Sequence, residues 1–159
     1  MQKKFSMETF LAQIKEMTKE AKRPNRAVLP RLRELLSSNP EIWEEMEKVG
    51  KNVEEKWIDL LVGNRDDLRQ RLRHHVEKMK REYRQSGSSP LERLLVDRIV
   101  VAWLTVRYFN AALAMASEAG MAKQIRFFNQ QLSRVQRRHG GAVKSLVEVR
   151  KLLGGRDNA

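Results

Sequence analysis

Apolar residues recur at intervals of three and four along almost the whole chain, and no convincing stretch alternates apolar and polar residues with a period of two. Spacing of three and four places side chains on one face of an α-helix, whereas a half-buried strand needs alternation. The pattern therefore predicts an all-α protein, a bundle of four long helices with one or two extra N-terminal helices. With 159 residues and 41 % hydrophobic residues, the chain can bury one core.

Two of the long helices begin with residues that favour a helix start. Asn39-Pro40-Glu41 combines a preferred N-cap residue, a proline suited to the first turn and an acid that complements the helix dipole. Ser89-Pro90-Leu91-Glu92 is a capping box, in which the Ser and Glu side chains each bond to the other residue's backbone N–H. The helix that starts at Pro90 is apolar around most of its circumference to about Ala119, which predicts a central, buried position.

Turn residues predict the other boundaries. The helix that follows Asn39 ends at Gly63-Asn64, and the next runs from about Asp66 to Gln85. A first helix with Ser6 as its N-cap and a short second helix around Pro30 to Leu36 precede them. The chain is therefore expected to have three parts: an N-terminal helical appendage over 1–38 with a basic connector at 22–26, a helical bundle over 39–153, and a frayed tail at 154–159.

The last predicted helix contains a pair of glycines. Apolar or small residues keep the three-four spacing from Ile125 to Leu153, and the phase does not shift at Gly140-Gly141. Because a loop normally resets that phase, the pattern predicts one helix from about Ala122 to Leu153, although each interior glycine costs about 1 kcal/mol relative to alanine. Two helices joined at Gly140 are the alternative.

The sequence also predicts which faces are buried and which charges pair. The helix after Asn39 has an apolar stripe expected to face the core, formed by Ile42, Met46, Val49, Val53, Trp57 and Leu60. The same helix is rich in acids, which suits packing beside a basic helix of the chain or binding to a basic partner. Asp97 lies inside the apolar helix and is expected to form a core salt bridge with Arg93 or Arg98.

Positive charge is concentrated in the last helix. The formal net charge is +12, and the segment from Met121 to Arg156 holds nine Lys or Arg residues against one acid, Glu148. Such a surface repels itself unless an anion meets it, and nucleic acids are the commonest large polyanions in a cell. The candidate phosphate contacts are Arg126, Arg134, Arg137, Arg138, Lys144 and Lys151, with Arg150 at their flank. A solvated charged face is the alternative.

Phe127 falls off the apolar stripe of this helix, near Arg134 and Arg138. Two roles are open at that position. The ring either packs in the core or against a partner, or it stacks on an unpaired base.

A second basic face is predicted on the helix from about Asp66 to Gln85. Its candidate nucleic-acid contacts are Arg69, Arg73, Lys80 and Arg84. Glu77 lies within reach of Arg73 and Arg81, so ion pairs inside the helix are expected to compensate part of this charge. If the two basic helices are neighbours, their faces form one groove. The basic connector at 22–26 is either an arm that grips phosphates or a solvated linker.

No pattern indicates a catalytic, cofactor or metal site. The chain has no cysteine, which excludes disulfides and thiolate zinc sites. His74, His75 and Glu77 lack the Glu-x-x-His spacing of a carboxylate-bridged site. Asp97 has no base or nucleophile beside it, and no phosphate-binding loop motif occurs. We therefore expect no enzyme activity, no cofactor and no metal.

The chain is expected to be cytoplasmic and free of membrane. No apolar segment follows the N-terminal charges, as a signal peptide requires. The longest apolar run, Ile99 to Leu104, is far shorter than the ~20 residues of a membrane-spanning helix.

Three segments resemble a family of small helical bacterial proteins: Asn39-Pro40-Glu41-Ile42-Trp43, residues 89–98 with Trp103-Leu104, and residues 147–153. The resemblance covers most of the chain from about Leu29 onward. These segments are capping and core motifs, so the resemblance implies a helical fold. The family has no assigned activity, and the resemblance implies no site residue.

The sequence as a whole favours a non-catalytic protein that binds DNA or RNA through phosphate contacts, as an accessory subunit of a nucleoprotein complex with a protein partner. The alternative is a helical adaptor or homo-oligomer whose basic face docks an acidic protein. Peripheral binding to anionic lipid is less favoured, because no predicted exposed face joins bases to bulky apolar residues.

Overall fold

The all-α fold is confirmed. The computed structural model describes residues 7–21 and 28–154, and over these ranges the chain forms helices and no strand. The helices are α1 (Met7–Ala21), α2 (Val28–Ser37), α3 (Pro40–Val62), α4 (Asp66–Tyr83), α5 (Pro90–Glu118) and α6 (Ala122–Gly154). The cap expected at Ser6, the basic connector at 22–26 and the tail after Gly154 lie outside the described residues.

Helix α5 lies at the centre of the fold, as its apolar circumference predicts. It packs most extensively against α6, then against α3, and also contacts α2 and α4. The buried residues of α5 run from Leu91 to Thr105, and after Thr105 only Ala116 is buried. The C-terminal turns of α5 and the first turns of α6 are therefore much less covered. We call residues 110–130 the hairpin tip.

The capping box at the start of α5 is confirmed. The Glu92 backbone N–H donates to Ser89 Oγ at 3.3 Å, and the Ser89 N–H donates to Glu92 Oε2 at 2.8 Å. Asn39 occupies the N-cap position of α3 as predicted, but its side chain forms no capping bond. It donates instead to Ser38 Oγ at 3.1 Å. Gly120 ends α5 with a positive φ of 67°, which suits a residue without a Cβ.

The core consists of two clusters that meet along α5. The first joins five helices through Phe10, Ile14, Leu32, Leu36, Trp43, Leu91, Leu95, Val96, Ile99, Ala142, Leu146 and Val149. The second joins α3, α4 and α5 through Ile58, Val62, Val76, Val100 and Leu104. The rings of Phe10 and Trp43 lie 5.1 Å apart, and Trp43 Nε1–H donates to the Leu36 carbonyl at 2.9 Å. Helices α1 and α2 thus contribute to the same core as the long helices.

Helix α6 runs unbroken through Gly140 and Gly141, which confirms the prediction of a single helix. Val135 is buried before the glycines, and Ala142 and Leu146 are buried after them. Contact with α5 on both sides of the pair therefore stabilises the helix where its intrinsic propensity is lowest. Both glycines face solvent, and a Cβ added to either would meet nothing within 4 Å.

The inner face predicted for α3 is wrong at three of its six residues, whereas Ile42, Met46 and Trp57 pack against the core clusters. Val49, Val53 and Leu60 are 55 %, 41 % and 58 % exposed, whereas Glu54, Ile58 and Val62 are buried. Helix α3 packs against both α4 and α5. As a result, Glu54 and Ile58, which directly follow Val53 and Trp57 of the apolar stripe, face inward. The exposed valines instead line an open groove with Leu11, Leu94 and Val101. Glu54 can be buried on this face because it has a charged partner, Lys80, described below.

Candidate nucleic-acid interface

Two candidate residues of α4, Arg69 and Arg73, are paired with acids of α3. Arg69 Nη2 lies 3.2 Å from Asp59 Oδ1, and Arg73 Nη2 lies 2.5 Å from Glu55 Oε2. The hydrogen bonds to Glu55 and its negative charge also raise the pKa of Arg73. The acidic helix α3 therefore packs beside a basic helix of its own chain, one of the two roles that its composition suggested.

Lys80 and Arg84 belong to a mostly buried charge cluster between α3, α4 and α5. The Lys80 side chain is 7 % exposed, and its Nζ lies 2.5 Å from Glu54 Oε2 and 3.3 Å from Asp97 Oδ1. Arg84 Nη2 approaches the same Asp97 oxygen at 3.2 Å. Lys80 thus joins three helices, and its ammonium group is enclosed by protein.

The expected pairing of Asp97 is wrong. Asp97 bonds to Lys80 of α4 and to Arg84, which directly follows α4. Arg93 bonds instead to Glu47 of α3 at 3.0 Å, and Arg98 is exposed. Arg98 follows Asp97 directly and so points about 100° away around the helix. Arg93 shares the side of Asp97, but an acid on α3 lies closer to its guanidinium group.

The pKa values in this cluster follow from two carboxylates that share one ammonium group. Burial alone would lower the pKa of Lys80, but the bond to Glu54 and the charge of Asp97 outweigh it and raise the pKa. Burial raises the pKa of Glu54 despite the opposing effect of Lys80, and the negative charges of Asp97 and Glu77 add to the rise. The cluster is therefore a structural element of the core, with Lys80 as its central cation.

The basic residues of α6 are placed differently. Exposed side chains are found at Arg126, Arg134, Arg137, Arg138, Lys144 and Lys151. Within the described ranges, the ion pairs found include none of these six, and Arg137 only donates to its own helix at the Ser133 carbonyl, at 3.4 Å. We call these six residues the α6 stripe. From Arg126 to Lys151 the stripe extends roughly 37 Å along the helix axis.

Arg150 does not belong to the α6 stripe, although it lies at its flank in the sequence. Its guanidinium group bonds to Glu92 Oε1 at 3.2 Å and to the Tyr83 carbonyl. It therefore ties α6 to the start of α5 and the end of α4. The same bonds show that α4 meets α6 at the Tyr83 end, while Arg69 and Arg73 of α4 are directed towards α3. The two basic faces do not form the continuous groove that the sequence left open.

The stripe has two parts when it is viewed down the helix axis. Arg126, Arg137, Lys144 and Lys151 lie within about 40° of one another, opposite the buried side. Arg134 and Arg138 lie on one flank, within about 20° of Phe127. Phe127 is 52 % exposed, so its predicted position off the core stripe is confirmed.

A chain of aromatic rings leads from α3 to Phe127. Trp57 lies 5.5 Å from Tyr108 and 6.3 Å from Phe109, Phe109 lies 6.2 Å from Phe128, and Phe128 lies 5.4 Å from Phe127. Sequence reasoning missed this cluster, although two adjacent aromatic pairs in neighbouring helices signalled it. It anchors the end of α3 to α5 and α6 and leaves Phe127 as its outermost ring.

Metal binding finds no support in the part of the chain that the structure covers, where no group of three or more His, Asp or Glu side chains is placed to hold an ion. His75 of the suspected His74-His75 pair lies 5.2 Å from the Trp103 ring instead.

In the described ranges, α5 is the helix that is long and apolar enough to cross a membrane, by length and composition alone. A core helix passes the same test, and α5 packs against four other helices. At the hairpin tip, however, exposed Met121 and Phe127 lie in the same turns as exposed Lys123 and Arg126. The expectation that no exposed face combines basic side chains with bulky apolar ones is therefore wrong at this end of the molecule.

In comparisons with known proteins, no family model, curated protein or solved structure matches the chain. The resemblance to small helical bacterial proteins stays a prediction, and the functional argument depends on the residues themselves.

Proposed function

We propose that this protein binds nucleic acid through phosphate contacts made by the α6 stripe, without catalysis of its own, as an accessory subunit of a larger nucleoprotein assembly. One observation carries the proposal. Six exposed basic side chains follow one another along α6 with no acid paired to them in the described structure. In contrast, the four candidate residues of the second basic face, Arg69, Arg73, Lys80 and Arg84, are matched by acids of α3 and α5.

Unpaired like charges on one helix repel one another and lower the stability of the fold, so an isolated protein gains nothing from them. A phosphate backbone removes that repulsion and releases its condensed counterions when it binds. Arginine is suited to this role because its planar guanidinium group donates two parallel bonds to phosphate oxygens. A surface of roughly 37 Å also offers several phosphates a contact at once.

The α4 residues contribute to the proposed interface at most indirectly. Lys80 is enclosed, and Arg69, Arg73 and Arg84 have carboxylate partners that a phosphate would have to displace. We therefore assign Arg69, Arg73, Lys80 and Arg84 to the packing of α3, α4 and α5, and the nucleic-acid contacts to the α6 stripe.

A charge-reversal variant tests the proposal. Arg134→Glu, Arg137→Glu and Lys144→Glu together should abolish binding to labelled DNA and RNA in an anisotropy titration across a salt series. Because three phosphate contacts are lost, any residual binding should show a slope of log affinity against log salt that is shallower by about two to three. Circular dichroism should stay unchanged, since all three side chains are exposed.

A matched control separates the stripe from net charge. Lys48→Glu, Lys51→Glu and Lys56→Glu change three exposed lysines of α3. Both triple variants lower the formal net charge by two per residue, from +12 to +6. The α3 variant should keep most of the affinity if the stripe is the site. If the two triple variants lost the same affinity for nucleic acid, the attraction would depend on net charge alone and the proposal would be wrong.

The alternative function is a helical adaptor or homo-oligomer whose basic face docks an acidic protein. Carboxylates accept the same paired guanidinium bonds as phosphates, so the α6 stripe suits both ligands. Absence of binding to every nucleic acid near physiological salt would favour this alternative. Sedimentation of the pure protein and affinity purification from the native host, each with the wild type and the α6 variant, would then identify the partner.

A further inference from the structure

We infer that the flank of α6 formed by Phe127, Arg134 and Arg138 holds an unpaired strand, with a base stacked on Phe127 and phosphates on the two arginines. The inference rests on the proposed function and deepens it, since it names single-stranded nucleic acid, or an unpaired segment, as the ligand class. It assigns the rest of the stripe to sequence-independent phosphate contacts.

The three side chains share one flank of a rigid helix. Arg134 and Arg138 follow Phe127 by seven and eleven residues, which corresponds to two and three turns, or about 10 Å and 16 Å along the axis. All three are exposed, and in the described structure no carboxylate is paired with either arginine. A strand that follows this flank meets the ring first and the cations next.

The aromatic cluster leaves Phe127 available for stacking. Phe128 contacts it edge-on, with an angle of 64° between the ring planes, so this contact covers at most one face of Phe127. Phe128 itself faces inward and contacts Phe109. Packing in the core is thus the role of Phe128, and it does not account for a neighbouring ring that is 52 % exposed.

An exposed phenyl ring beside cations favours an unpaired ligand over a duplex. In a duplex the faces of the bases are already stacked on one another, whereas an unpaired base can place its face on an aromatic ring. Phenylalanine has no hydrogen-bonding group, so the contact carries no base specificity. Glu118, the acid of the hairpin tip, lies nine residues from Phe109 and hence on the opposite side of α5. It therefore does not repel a strand on this flank.

The test compares single-stranded and double-stranded probes of about 20 nucleotides, longer than the ~4–16 nucleotides that one single-strand-binding fold covers. The wild type should bind the single strand more tightly. Phe127→Leu keeps an apolar contact with Phe128 but removes the π face, and it should weaken single-strand binding by about 5- to 100-fold while duplex binding is unchanged. Phe127→Trp should restore it.

The matched control is Met115→Leu, which changes another exposed apolar residue of the hairpin tip to the same side chain. It should leave both affinities unchanged. Equal affinity of the wild type for the two probes, or no effect of Phe127→Leu on the single strand, would overturn the inference. The proposed function would still stand in that case if reversal of the α6 stripe abolished binding.

Two further outcomes are separable. If neither probe binds, the proposed function and the inference fail together. If Phe127→Leu abolishes flotation on vesicles that contain anionic phospholipid but leaves strand binding intact, the ring is a membrane contact and the inference is wrong. Because Phe127 is exposed and lies outside both core clusters, Phe127→Leu is expected to fold.

Discussion

Lys80 offers the sharpest test of how the fold is held together, because one buried cation joins α3, α4 and α5. Lys80→Met keeps an unbranched side chain of similar length, so it leaves no cavity and removes only the charge. Asp97 retains Arg84 at 3.2 Å, but in the described structure Lys80 is the only cation paired with Glu54. The variant therefore leaves one carboxylate, 4 % exposed, without a partner.

Removal of one partner from a buried ion pair typically costs about 3–5 kcal/mol. For a domain of this size, each kcal/mol lowers the melting temperature by about 2–4 °C, so the expected decrease is roughly 6–20 °C. Urea denaturation followed by helical circular dichroism gives the free energy of unfolding. The matched control is Lys78→Met in the same helix, since its ion pair with Glu82 is 3.8 Å long and more than half exposed. It should cost about 0.5 kcal/mol or less.

The double variant Lys80→Met, Glu54→Met completes the cycle. Replacement of both charges by apolar side chains of similar volume should recover most of the loss, because a buried pair is often no more stabilising than its apolar substitute. The reasoning would be refuted by a loss below about 1 kcal/mol in Lys80→Met. It would also be refuted if the double variant lost as much unfolding free energy as the two single variants lose together.

Three further predictions follow from the same structure. Burial raises the pKa of Glu54 above its ordinary 4.5, so the folded state binds this proton more tightly and loses stability as pH rises through the raised value. In urea titrations, the stability of the wild type relative to Glu54→Gln should therefore decline as the pH rises above the ordinary pKa of 4.5, and a rise would contradict this sign. Gly140→Ala and Gly141→Ala should each raise the free energy of unfolding by about 1 kcal/mol, since α6 is helical there and the added Cβ meets nothing. Gly63→Ala, at φ +57°, should instead lower the free energy of unfolding by about 1–3 kcal/mol. If the urea midpoint shifted in the same direction in Gly63→Ala as in the two α6 variants, the argument would be contradicted. Ser89→Ala removes the capping bond of α5 and should cost about 1 kcal/mol by the same assay, with an unchanged midpoint as the contrary result.

The parts of the fold that were predictable depend on neighbours within one helix. The capping box needs only Ser89 and Glu92, three residues apart, and the structure forms both of its bonds. The continuity of α6 was visible because apolar residues keep their phase across Gly140 and Gly141. Both features are local, since backbone geometry alone determines where residues three and four apart will point.

The parts that were not predictable depend on which helix lies next to which. The apolar stripe of α3 suggested that Val49, Val53 and Leu60 are buried, but the structure buries Glu54 on the adjacent face. Burial of an ionised side chain is costly unless a partner is paired with it, and here Lys80 of α4 is that partner. Periodicity within α3 contains no information about that partner.

The candidate site divides in the same way. By itself, the sequence determined that α6 carries an excess of positive charge and that Phe127 stands off the apolar stripe, because both follow from composition and helical phase. Only the tertiary structure decided that Arg69, Arg73, Lys80 and Arg84 pair with acids of α3 and α5, while the ion pairs found in the described residues include no member of the α6 stripe. The physical reason is that ion pairs form over a few ångströms between side chains brought together by packing, and sequence separation does not specify those distances.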